Sequence, residues 1–127
     1  MNIKEKVYAA LNDSSVLTAI LAKDKRGQCI YHGLSPDAGS YPILVYSVIS
    51  DVPAVVADAT EMERRVTFRI HIITTDGAYE PIYREVVRIM LDLGFMRLST
   101  QEIAEQSKNL TEFIKIVDFR IGIGVNE

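Results

Sequence analysis

Five groups of residues in this chain are of types that do chemistry. Cys29 and His32 form Cys-x-x-His, which supplies two of the three or four ligands that a zinc ion needs. No second Cys/His pair accompanies them, so the spacing predicts a half-buried thiol beside a loop and no metal. His71 stands between Arg69 and Ile73 on the polar side of an alternating run. A catalytic histidine needs a nucleophile and an orienting acid. Thr74 and Asp76, its nearest such partners, belong to a turn, which predicts a surface or interface histidine instead.

Glu61 and Glu63 offer two carboxylates, but in a segment without a pocket around it, so a glycosidase-type pair has no support. Gly122-Ile123-Gly124 has the glycines of a phosphate loop, yet no helix follows before Glu127 to supply the N-terminal amides. No nucleophile elbow, HExxH or Walker sequence occurs. The expectation is a protein that is not an enzyme, with no catalytic residue, no cofactor and no metal. The fifth group is Arg65, Arg69 and His71 together with Asp118 and Arg120. If their strands are neighbours, these residues make cross-strand ion pairs on one sheet face. That face is either simply solvated, or part of a charged ring or partner contact.

The elements that hold these groups follow from patterning. A chain of 127 residues is one domain, long enough to bury a core without staples. Composition is globular, with 48% hydrophobic residues. One cysteine cannot form an internal disulfide, which suits a reducing cytoplasm. The N-terminus lacks the apolar stretch of a secretory signal, and no apolar run approaches the roughly 20 residues of a membrane helix. A net charge of −3 gives no support to nucleic-acid binding. A chain that is soluble and cytoplasmic at synthesis, with no membrane partner, is expected.

Asn2 caps a first helix in which Ile3, Val7, Ala10 and Leu11 form a stripe. Asn12 to Ser15 break it and cap a second, Val16 to Ala22. Lys23 to Gly27 is a charged turn, Gln28 to His32 a short strand, and Gly33 to Ser40 a loop. Pro42 opens a strand, Ile43 to Ser50, that is apolar on both faces and therefore covered on both. Asp51 to Glu63 has Pro53 and no strong period, and reads as a mobile arm or irregular β-extension. Arg64 to Thr74 alternates strictly, with Val66, Phe68, Ile70 and Ile72 on one face. A helix from about Ala78 to Leu93 presents Ile82, Val86, Ile89, Met90 and Leu93, with Glu80 and Arg84 spaced as an ion pair. Phe95 to Ala104 is a strand, Glu105 to Asn109 its turn, and Thr111 to Val125 a long closing strand with Lys115 alone among apolar neighbours. The sum is an α+β domain, a mostly antiparallel sheet packed by an N-terminal helical pair and one central amphipathic helix.

This order, with Tyr41-Pro42-Ile43-Leu44-Val45-Tyr46 before the arm and Arg65-x-Thr-Phe-Arg-Ile-His-Ile after it, resembles the tail-completion proteins of long-tailed phages and prophages. These are also called head–tail joining or tail-terminator proteins. The resemblance covers nearly the whole chain and rests on patterns of residue type. It implies a structural virion protein without catalytic residues, forming a ring of usually six copies. That ring caps the tail tube and docks on the head connector, so the partners are further copies of the chain, the tube protein and the connector protein. It implies that the arm contacts neighbouring subunits or the tube. Interface residues are then expected at Val52, Pro53, Val55, Val56, Asp58, Glu61, Arg65, Arg69 and His71. The segment Val52 to Ala59 is more apolar than a solvated loop, which points the same way. The alternative is a small ligand-binding or regulatory module with a pocket to which Tyr31, Tyr46 and Tyr83 contribute.

Overall fold

In the computed structural model the described residues are 2–24, 27–33, 40–57, 60–107 and 109–124, with the side chains of 55–57, 60–62 and 107 left aside. The helical pair is α1 (Ile3–Asn12) and α2 (Ser15–Ile20). Asn2 caps the first by accepting from the Glu5 amide, and Ser14 caps the second by accepting from the Leu17 amide. Val7, Leu11, Leu17 and Leu21 are buried, as their spacing predicts.

The predicted charged turn is a small hairpin, β1 (Lys23–Asp24) against β2 (Gly27–Gln28). The strand predicted over Gln28–His32 is thus divided into β2 and β3 (Ile30–His32). The break falls at Cys29, whose amide donates to the Ala22 carbonyl while its carbonyl accepts from Leu44.

Two strands of equal length follow, β4 (Ile43–Ala57) and β5 (Thr60–Thr74). Their antiparallel pairing runs from Ile43↔Ile73 out to Ala57↔Thr60. Of the two readings of Asp51 to Glu63, the irregular β-extension is what forms, as paired strand over 51–57 and 60–63. Register shifts between Val48 and Ser50 and between Pro53 and Val55 hide its period from the sequence. Helix α3 (Glu80–Asp92) crosses back, with Pro81 in its first turn. It leads through Gly94, at φ +99°, into β6 (Met96–Ser107) and β7 (Leu110–Gly124). The turn expected from Glu105 begins later, because pairing continues to Ser107↔Leu110.

The main sheet has the order β3-β4-β5-β7-β6, antiparallel except for the short β3–β4 contact. One face carries Leu44, Tyr46, Val66, Phe68, Ile70, Ile72, Val117, Phe119 and Ile123. All three helices pack there, through Val7, Leu11, Leu17, Ile82, Val86 and Met90. The α+β architecture, mostly antiparallel, matches the sequence reading. The opposite face bears a smaller cluster of Cys29, Ile43, Val45, Ile73 and Ile114. Among the described residues it is covered by Ala22, Ile116 and the rings of Tyr31 and Tyr41, whose hydroxyls donate to Asp24 at 2.9 Å and Glu112 at 2.8 Å.

Candidate assembly surface

The strict alternation of β5 sends its even residues under the helices and its odd residues to the face the helices leave open. Arg65, Thr67, Arg69 and His71 line up there. β7 is the neighbour of β5, and its register sets Asp118 opposite Arg69, Arg120 opposite Thr67 and Gly122 opposite Arg65. The predicted cross-strand ion pair forms as a fork. Arg69 donates through Nε to Oδ1 of Asp118 at 2.9 Å and through Nη2 to Oδ2 at 3.0 Å. The hydrogen bonds to Asp118 hold the Arg69 guanidinium above its ordinary range.

His71 lies between Val45 and Ile116, half-buried, with no hydrogen-bond partner for its buried Nδ1 among the described residues. Burial and the nearby Arg69 charge push its imidazole below the usual histidine range, against the opposing pull of Asp118 and Glu105. A neutral ring at pH 7 follows. The Glu63 carboxylate lies over Gly122, where a Cβ would come within 2.5 Å of Oε1. The glycine there admits a side chain of its own sheet.

Farther out on the ribbon, Arg64 donates to Asp51 at 3.0 Å across β5 and β4. Val52 and Pro53 are exposed. Val55, Val56 and Glu61 sit in the paired backbone, opposite Glu63, Glu61 and Val56 respectively. Asp58 lies outside the described residues. Of the predicted surface, the fold brings together Arg65, Arg69 and His71 with Asp118 and Arg120, and holds Val52 and Pro53 on the same long hairpin.

The other predicted groups come apart. Cys29 is fully buried rather than half-buried, in the cluster on the open face, whereas His32 stacks on Tyr46 at 5.1 Å on the helix side. Among the described residues no three His, Cys, Asp or Glu side chains form a metal-binding group. The tyrosines also separate. Tyr46 lies in an open groove of about 460 Å³ beside Tyr8 and His32, Tyr31 on the opposite face, and Tyr83 against Thr100.

Two networks escape the sequence reading. Glu80, spaced to pair with Arg84, instead accepts from Lys115 Nζ at 3.2 Å, and Glu102 does so at 3.1 Å. The ammonium sits 4.2 Å from the centre of the Tyr83 ring. Burial pulls its pKa down, and Glu102 and Glu80 together more than reverse this, leaving it raised. Glu85, on the predicted polar side of α3, is buried. It accepts from Ser14 and, at 2.8 and 2.9 Å, from Arg88. The signal was present, since Glu85 stands at i+3 from Ile82 and thus on the apolar stripe.

No family model matches the chain, and no curated protein matches it. Among solved structures it is similar to a chain of the virion of a native gene transfer agent particle. The match covers 96% of this chain and 94% of that one, with a TM-score of 0.55 and 17% sequence identity. At that identity the likeness establishes a shared fold.

Proposed function

We propose that this chain is a structural virion protein that completes a phage-type tail and joins it to the head connector, as a ring capping the tail tube. The observation that carries this reading is the fold, which is shared end to end with a chain of a virion particle. The sequence resemblance to tail-completion proteins supplies the finer role. Physical features support it. A ring subunit needs different patches on its two sides and a rigid body to fix the angle between them. Here a helix-backed sheet provides the body, and the β4–β5 ribbon reaches beyond it. The open face, with the Arg69–Asp118 fork and a neutral His71, suits a contact with a neighbouring surface.

The test is electron microscopy of particles produced by a phage or lysogen lacking this chain. Filled heads apart from free tails, some of irregular length, are the expected result. Normal joined virions would remove the reading, and ligand screening against the Tyr8–His32–Tyr46 groove would then be the next experiment.

A further inference from the structure

β6 is the last strand of the main sheet, paired with β7 on one side from Met96 to Ser107 and, among the described residues, with no strand on the other. Proteins guard such an edge by shortening it or by placing proline, lysine or outward charge along it. This edge is 12 residues long and has neither proline nor lysine. Met96, Leu98 and Ile103 are exposed along it. Of its three charged side chains, two are already drawn aside. Arg97 donates to Thr100 at 3.0 Å, and Glu102 accepts from Lys115 at 3.1 Å.

The faces of β6 restrict what can pair with it. Thr100, Glu102 and Ala104 lie opposite Val117, Lys115 and Phe113 on the helix side, and Ser99, Gln101 and Ile103 opposite Asp118, Ile116 and Ile114 on the open side. Leu98 is the extra residue of a bulge, which returns Arg97, opposite Phe119, to the helix side. A second copy turned about a two-fold axis normal to the sheet presents β6 in antiparallel sense and keeps its helices on the same side. Helix-side residues then meet helix-side residues, so the axis must pass at a residue of β6.

The charges choose among the central positions. An axis at Glu102 sets two carboxylates directly against each other. An axis at Thr100 sets Glu102 against the bulged Leu98. An axis at Gln101 sets Gln101 against Gln101, Ser99 against Ile103, and Thr100 against Glu102. Because Arg97 lies on Thr100, each guanidinium then arrives beside the other copy's Glu102, on the same face. The attraction is made twice, once at each end of the seam. Regular pairing covers Ser99–Ile103 on both strands, an ordinary strand length, and no strand stands in its way as β3 does beside β4.

We infer that two copies of this chain join β6 to β6 about a two-fold axis at Gln101, merging two five-stranded sheets into one, with Arg97 of each copy against Glu102 of the other. This goes beyond the ring reading. A two-fold contact closes on itself, uses one margin of the sheet, and leaves the β4–β5 ribbon at the other side free for other contacts.

Disulfide trapping tests it. Gln101→Cys places the two thiols directly opposite, within disulfide reach. Mild oxidation should convert that variant to dimer and to nothing larger, since the native Cys29 is buried. Ser99→Cys or Ile103→Cys alone should stay monomeric on a denaturing gel, because each thiol lies about four residues, roughly 14 Å, from its mate. Mixed together, these two variants should crosslink. Sedimentation of the wild-type chain should show a species of twice the chain mass, and Arg97→Glu should raise its dissociation constant about tenfold.

Gln101→Cys crosslinking no better than Ser99→Cys overturns the pairing, as does a wild-type chain that sediments as a monomer because β6 awaits a strand of another protein. Larger wild-type species without the Gln101→Cys crosslink leave the ring on some other interface and remove this one. The crosslink combined with normal virions from the deletion keeps the pair and removes the tail role.

Discussion

Glu85 ties the helical pair to α3, and its removal has a predictable pH signature. The Ser14 hydroxyl caps α2 by accepting from the Leu17 amide and donates its proton to Glu85, which also accepts both hydrogen bonds of the Arg88 fork. The Arg88 hydrogen bonds, opposed by burial and helped by Ser14, bring the carboxyl from 4.5 down to about 2. A displacement of that size bounds the linked stabilisation at about 3 kcal/mol. The Glu85 side chain is 9% exposed but Arg88 is 57% exposed, so water screens the pair. About 1–2 kcal/mol is the expected contribution at neutral pH.

A depressed carboxyl stabilises the fold fully above its unfolded pKa, near 4.5, and the contribution fades as pH falls toward 2. Glu85→Gln keeps the shape but loses the charge. Denaturant unfolding, followed by circular dichroism at pH 7 and at steps down to pH 2.5, should show the variant about 1–2 kcal/mol weaker at pH 7. Its deficit should shrink across the acid range. A variant as stable as wild type at pH 7, with the same acid slope, would refute this account of the network.

Three further outcomes are expected. Lys115→Met should change stability by less than about 1 kcal/mol, since its partners Glu80 and Glu102 are half exposed and rehydrate, while Lys115→Ala should cost about 1–3 kcal/mol in lost packing over Tyr83; thermal melts of the two variants check the difference. A double-mutant cycle on Arg69→Ala and Asp118→Ala, read by denaturant unfolding, should give a coupling of about 0.5–1.5 kcal/mol, because Asp118 is largely buried and the fork is bidentate. Deleting Val52–Thr60 leaves in place the helix-side cluster around Phe68, Phe119 and Met90 and the opposite one around Ile43 and Ile114, so circular dichroism should report a folded chain, and sedimentation should report one that no longer assembles into a ring.

Much of this fold is legible in periodicity alone. The stripes of α1 and α3 and the alternation of β5 each name residues that are buried, because one-sided burial forces the period of 3.6 or 2 onto the sequence. The caps at Asn2 and Ser14 are similarly local, since a side-chain oxygen reaches an amide three residues on. Lys115 and Glu85 mark the limit of that reading. Each breaks a local pattern: the carboxylates that make the burial of Lys115 tolerable, Glu80 and Glu102, come from elsewhere in the chain, while Glu85 is held chiefly by Arg88 one turn on and also by the Ser14 hydroxyl from the helical pair.

The β4–β5 ribbon shows why the sequence leaves a mobile arm and an irregular β-extension both open over Asp51 to Glu63. Hydrogen bonding across the ribbon does not require alternating polarity when neither face is buried, and each bulge resets the phase. The amino-acid order by itself determined the element types, the core faces and the row of Arg65, Arg69 and His71 along one strand. Which strand lies beside which was decided only in three dimensions. The neighbourhood of β5 and β7 turns Arg69 and Asp118 into a pair, and the strand order sets β6 at one margin of the sheet with Met96, Leu98 and Ile103 exposed. Strand order is a property of non-local contacts, whose loop-closure cost and packing gain depend on the whole chain at once and leave no mark at any single position.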